Sequence, residues 1–469
     1  MADKSDIEHG IIEDECIEDP VLIDDEGTVG ELEKHLAAKF RHDSPLPISC
    51  CIFRVPEVVW RQNKEAYEPD IVSIGPFHRG GKSAGFQFME NMKQWYLQGL
   101  LLRTNTSLGS LIKSIMKFDK QARDCYAEQF HHLNQIDFVE MLIVDGCFLV
   151  ELFRKVYSID LQDKNDPIFN VDSMLECLYH DLMLLENQLP WFVLECLYNL
   201  TRSSTQRKPN LSLTDLLCNF FRQSMLNDNI FNHNRNFSRQ ILHIIDMLRM
   251  FMVVPFKDSL DKYEYQDEQD EDYYESKDNI ELLQGIPSAT DLSKAGIKFT
   301  CKWDSIMNIQ FKNSVFNIPP LVIEERMRPL FRNVIAFEQC YYNCQHKITS
   351  YAVLMDNLIE TSENVEFLCK EGILATSLSH EDASQFFKQL HTDTTIIEFY
   401  YKGFCNDVNE YHDAELKKFI PKAKWKKWIE AFMSDYCDTP WTVMSLVAAF
   451  ILLVLTFLQT VYTIQQYYH

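Results

Sequence analysis

Two stretches of this chain are apolar almost all the way round. They are FVEMLIVDGCFLVELF at 138–153 and DLMLLENQLPWFVLECLY at 181–198. A surface helix needs a polar face, so segments without one belong at the centre of a large helical core. Their lengths exceed those of ordinary strands and favour helix. Pro190 kinks or restarts the second, because proline has no N–H to donate and its ring clashes with the preceding turn. Further runs with apolar residues at three- and four-residue spacing predict helices over 86–103, 108–130, 134–157, 172–200, 211–226 and 237–254, then from 325 to 433. Alternation around Lys312-Asn313 predicts a small antiparallel β meander over 296–323.

Carboxylates inside apolar helices are costly, so Asp145, Glu151 and Glu186 must be exposed, paired or protonated. A perturbed catalytic acid pair is one reading. A satisfied polar lock between the two central segments, with Asn187 and Gln188 as extra partners, is the favoured one.

The chain has 469 residues and a formal charge of −24. That charge is concentrated. Residues 1–34 hold 13 acidic residues and two lysines, and an acidic run falls within 257–281. We read 1–35 as a disordered acidic tail, 36–433 as one mostly helical domain, and 257–281 as an acidic surface loop. The balance argues against nucleic acid, whose phosphates require a basic face. It favours a protein partner of basic character. The 14 cysteines are scattered through apolar runs, as reduced thiols are, and no secretory signal precedes them.

The stretch from Trp441 to Thr463 is mostly apolar and long enough for a membrane-spanning helix, which needs about 20 residues. With Trp441 and Thr463 as its ends and lysines upstream at 417–428, it predicts a tail-anchored, single-pass protein. The bulk of the chain would then be cytosolic, with the membrane as a partner. The expected fold class is therefore mainly α: a multi-helix globular domain, a small antiparallel meander and a C-terminal transmembrane helix.

Chemical motifs fail their context tests. The loop Gly75-Pro76-Phe77-His78-Arg79-Gly80-Gly81-Lys82-Ser83-Ala84-Gly85 resembles a phosphate-binding loop, but its count from Gly75 to Gly81 is one residue too long. The position that fits is Pro76, which has no N–H to offer. Its Gly81-x-Ser83-x-Gly85 imitates a nucleophile elbow but sits six residues beyond Ile74, in a chain without the alternating strands of a hydrolase sheet. His380-Glu381 lacks the second histidine of a zinc-protease helix. Cys340, Cys344 and His346 read as buried structural groups, and His131-His132 as a solvated helix end. No catalytic residue, cofactor site or metal site is assigned.

Eight ordered runs carry a resemblance. They are CIFRVPEVVW, IVSIGPFHRG, FVEMLIVDGCFLVELF, DLMLLENQLPWFVLECLY, IPSATDLSKAGIKF, NIPPLVIEERMRPLFRNVIAFEQC, SYAVLMDNLIE and the closing DVNEYHD…WKKWIEAF…DTPWTVMSLVAAFILLVLTFLQTVYT. From about residue 36 onward the chain resembles the plant-specific family called domain of unknown function 247. The resemblance implies a mostly helical protein with a C-terminal membrane span and no accepted enzymatic activity. Some grass members are implicated as pollen-side determinants of self-incompatibility. The expected function is a non-enzymatic recognition or signalling protein acting through protein contacts. A hydrolase or nucleotide-binding enzyme using the 71–85 loop, and a structural membrane scaffold, are the alternatives.

Overall fold

The structure is a computed structural model. It describes residues 26–40, 44, 46–80, 84–202, 211–224, 239–254, 285–392, 394–396, 399–417, 448–449 and 451–460. Two units separate, residues 1–48 and 49–469. In the first, α1 spans Glu26–Ala37. The end of the stretch expected to be a disordered tail is thus helical, with Lys34 and His35 in its last turn, where a helix dipole favours positive charge. Residues 1–25 lie outside the described residues, as does the acidic loop expected at 257–281.

The second unit contains α2 (Ala84–Thr104), α3 (Leu108–Ile115), α4 (Gln135–Tyr157), α5 (Asp172–Leu182), α6 (Trp191–Leu200), α7 (Leu213–Ser224), α8 (Ile244–Val253), α9 (Met327–Cys340), α10 (Lys347–Leu358), α11 (Ser362–Lys370) and α12 (His380–His391). Helical backbone also covers 402–417. Helix α4 is the axle. Asn134 caps it by accepting the Asp137 N–H at 3.0 Å, and residues Phe138 to Val156 are buried except Glu140. Helices α2, α3, α6 and α7 pack around it. Gly146 leaves room for Leu197 of α6, with which a Cβ there would collide.

The second apolar stretch is not one helix. Helix α5 ends at Leu182, and α6 starts at Trp191 with Pro190 in the capping position. Residues 183–190 between them are a buried, non-helical connection. Pro190 restarts the helix, where its missing N–H costs nothing.

The expected antiparallel meander over 296–323 is corrected. Strands β1 (Lys298–Cys301), β2 (Gln310–Lys312) and β3 (Val315–Ile318) form a sheet of order β1-β3-β2. Only β2 and β3 are antiparallel, joined at Asn313 and Ser314, whose positive φ values of 52° and 60° suit a hairpin turn. Strand β1 pairs with β3 in parallel, Lys298 opposite Val315. The connection from β1 to β2 is tied to helical elements instead of turning tightly. Ser305 Oγ donates to the Met252 carbonyl at 2.6 Å, and the Tyr401 hydroxyl donates to the Met307 carbonyl at 3.0 Å. A second small sheet pairs β4 (Leu321–Ile323) in parallel with β5 (Leu374–Thr376).

The membrane span is also corrected. Among the described residues no helix is long and apolar enough to cross a membrane. The longest described piece of the expected span, 451–460, rises about 15 Å, half of the roughly 30 Å hydrocarbon core. The expected ends, Trp441 and Thr463, lie outside the described residues. The transmembrane helix, the single-pass placement and the membrane as partner have no support.

Candidate functional site

Segment 70–78, which carries the motif-like loop, crosses the centre of the helical unit without regular secondary structure. Its backbone donors therefore need side-chain acceptors, because a buried N–H left alone costs about 1–3 kcal/mol. Three groups on α4, α5 and the 183–190 connection supply them, and a fourth holds the backbone at Val55. Asp181 accepts the N–H groups of Asp70, Ile71 and Val72 at 2.7, 2.9 and 2.8 Å. Asn187 accepts the Ile74 N–H at 2.6 Å and donates to the carbonyls of Val72 and Asp181 at 3.0 and 2.9 Å. Asp145 accepts the Gly75 N–H at 2.9 Å. Glu186 accepts the Val55 N–H at 2.9 Å.

The charges are answered locally. Lys93, on the inner face of α2, places Nζ 2.8 Å from Asp145 Oδ1 and donates to the Ser73 carbonyl. Burial raises the Asp145 pKa, while Lys93 and the Gly75 amide draw it back. Glu186 lies 3.0 Å from Arg54 Nη1, and His78 Nε2 approaches it to 3.2 Å. Glu151 is paired with Arg103 of α2, whose Nε donates at 3.2 Å. Gln188 folds back within its own connection, donating to the carbonyls of Leu182 and Leu184 at 3.2 and 2.7 Å, and accepts the N–H of Ile244 at the start of α8 at 3.1 Å.

The five residues Asp145, Glu151, Glu186, Asn187 and Gln188 are all buried. Asp145, Glu186 and Asn187 converge on the 54–75 backbone. Glu151 instead holds the C-terminal end of α2, and Gln188 holds the start of α8. Their partners are thus not each other across the two apolar stretches. The sequence reading missed Lys93, Arg103, Asp181 and Arg54. Lys93 had a signal, because it shares the helix face of Met89, Tyr96, Leu97 and Leu100, all buried.

Gly75 is required twice over. Its φ is +78°, and a Cβ would sit 2.7 Å from the Gln188 carbonyl oxygen. The amide that a phosphate cradle turns outward is spent here on Asp145. Lys82 and Ser83 lie outside the described residues.

Cys340, Cys344 and His346 do not converge as a metal set. Among the described residues the one group of three ligand types within 4.8 Å is Asp70, His180 and Asp181. Its donors are engaged: Asp181 holds three backbone amides, and His180 Nδ1 lies 3.0 Å from Asp181 Oδ1. Burial opposes the His180 charge, yet the contact with Asp181 and the nearby Asp70 outweigh it and raise its pKa. That arrangement makes a latch for the 70–72 backbone. On α12, Ser384 donates to the Glu381 carbonyl at 2.7 Å, and His131 and His132 are exposed.

Comparison with known proteins assigns the family. No solved structure matches the chain. Two Arabidopsis thaliana proteins are similar. The one named UPF0481 protein At3g47200 is 30% identical over 440 residues, covering 89% of this chain and 87% of the relative. The one named Putative UPF0481 protein At3g02645 is 23% identical over 513 residues, covering 91% and 93%. The model of a plant protein family of unknown function matches residues 52–455. That range takes in the 70–78 segment and every group that holds it, so the chain belongs to this plant family, domain of unknown function 247.

Proposed function

We propose that this protein is a recognition or signalling protein that acts through protein–protein contacts and carries out no catalysis of its own. One observation carries the reading. The ionisable groups around the motif-like loop are already engaged in holding its backbone, from Asp181 on the amides of 70–72 to Asp145 on Gly75 and Lys93. A catalytic group needs a free lone pair or proton facing substrate, and these face amides and each other. The enzyme reading of the 71–85 loop is correspondingly disfavoured. The acidic N-terminal stretch, with 13 acidic residues in 34, supplies charge for a basic partner.

Two measurements test this. Crosslinking purification of the full chain and of a variant lacking residues 1–35, from pollen and leaf, is expected to recover partners that depend on that segment. Labelling of Ser83 by a serine-hydrolase probe, or a nucleotide-induced rise in thermal midpoint, would overturn the non-enzymatic reading. A pollen-side role in self-incompatibility is the narrower form of the proposal and rests on the resemblance to grass members. Its test is segregation of alleles with pollen phenotype, and free recombination between the two ends it.

A further inference from the structure

Helix α3 carries one apolar face that is wider than the core covers. Leu111 and Ile115 are fully buried against the core. The flank of the same face carries Leu108, Ile112 and, just past the last turn, Met116, which are 47%, 37% and 47% exposed. Four-residue spacing sets these three in one row about 12 Å long. A solvent-facing row on a globular protein is ordinarily polar. Beside it, one position further along the chain, run Lys113 and Lys117, with Lys120 following, and all three are exposed. None ion-pairs with a carboxylate among the described residues. Asp119, between them in sequence, is taken by Arg123 at 3.0 Å and by Gln135 at 3.2 Å.

We propose that this face of α3 is a docking surface for an acidic amphipathic helix of a partner protein. It goes beyond the recognition reading by naming the surface and the partner's chemistry, and it rests on that reading. Apolar anchors at i, i+4 and i+8 match the apolar stripe of a docked helix, and the lysine row selects acidic flanks. The platform is firm. Ser107 caps α3 by accepting the Ser110 N–H at 3.2 Å, Phe118 packs at a tilt against Phe192 of α6 with centroids 5.3 Å apart, and Thr106 Oγ1 donates to the Leu200 carbonyl at 3.4 Å. Little ordering cost is left to binding. An anionic bilayer also accepts lysines beside apolar residues. The row carries no aromatic anchor of the kind that seats at lipid headgroups.

The experiment uses the full chain and a fluorescent synthetic helix with leucines at i, i+4 and i+8 and glutamates between them. A control peptide replaces each glutamate with lysine. Fluorescence anisotropy at near-physiological salt is expected to show saturable binding of the glutamate peptide and none of the control. Leu108→Asp, at the first helical position where an acidic side chain suits the dipole, should abolish binding. Lys113→Glu with Lys117→Glu should weaken it by about tenfold or more, in line with close charge pairs at interfaces. Because the substituted side chains are exposed, an unchanged thermal midpoint should accompany both. Equal binding of the two peptides, indifference to these variants, or binding to phosphatidylserine vesicles in place of the peptide would overturn the proposal. Any of those results leaves standing partners captured through residues 1–35, so the two proposals fail separately.

Discussion

Replacing Lys93 by methionine tests whether the 70–78 segment is held by charge. The substitution keeps the length and apolar stem of the side chain and removes only the ammonium. Lys93 and Asp145 are each 1% exposed, with 2.8 Å between Nζ and Oδ1. Removing one partner of such a pair leaves a buried charge, which costs about 3–5 kcal/mol. The Ser73 carbonyl also loses the Lys93 donor, so the upper part of that range is expected. The pH dependence follows from the Asp145 pKa, already raised by burial. Without Lys93 it rises further. A carboxyl whose folded pKa lies above its unfolded value favours the folded state at low pH, and that benefit is lost as pH rises through the folded pKa. The penalty of Lys93→Met should therefore be largest near pH 7 and shrink toward pH 4–5. Adding Asp145→Leu should recover part of the loss by removing the stranded charge, less the cost of leaving the Gly75 N–H without its acceptor. Equilibrium urea unfolding of the unsubstituted protein and both variants at pH 7 and pH 5 measures this. A single-variant loss below about 1 kcal/mol at pH 7, set against the range for buried pairs, or a penalty that grows on acidification, would refute the reasoning.

Three further outcomes follow from the same geometry. Burial lowers the His243 pKa to about 4, so the unfolded chain takes up a proton that the native state refuses. Stability should fall as pH drops from about 6.5 to 4, by up to about 3 kcal/mol from this group, and His243→Gln should flatten that part of a chemical-denaturation profile. Gly75→Ala should lower the thermal midpoint more than Gly80→Ala. Both positions have positive φ, +78° and +91°, but only at Gly75 does a backbone oxygen lie 2.7 Å from the new Cβ. Burial raises the thiols of Cys147, Cys340 and Cys344 to about 12. Iodoacetamide followed by mass spectrometry should therefore label exposed Cys301 before half-buried Cys340, and reach buried Cys147 and Cys344 only on unfolding.

Local pattern was legible wherever it concerned one element. The apolar run at 138–153 announced a central helix, and α4 is buried along that run apart from Glu140. Pro190 announced a break. It did not announce that 183–190 would leave the helix altogether, and Glu186, Asn187 and Gln188 depend on that departure to reach donors a helix would have denied them. The strands at 298–318 could be located, but their pairing could not be read. Alternation fixes which side chains share a face and says nothing about whether the next strand lies beside the last. The apolar composition of 441–463 suggested a span, and hydropathy alone does not establish a helix of spanning length.

The amino-acid sequence by itself determined the class of this protein and the demand at its centre. A chain with two such apolar stretches folds around them, and any carboxylate or amide within them must be satisfied. Only the tertiary structure decided by what. The amides that meet Asp181, Asn187 and Asp145 come from residues 70–75, about 70 to 115 positions away in the chain, and Lys93 comes from a third element. Helical periodicity reaches no further than a turn or two along one helix, whereas hydrogen-bond partners at this range are chosen by how helices pack. The same holds for α3. Its sequence sets Leu108, Leu111, Ile112 and Ile115 on one apolar face, and packing against α4 and α6 determines that Leu111 and Ile115 are covered while Leu108, Ile112 and Met116 at its flank stay partly open.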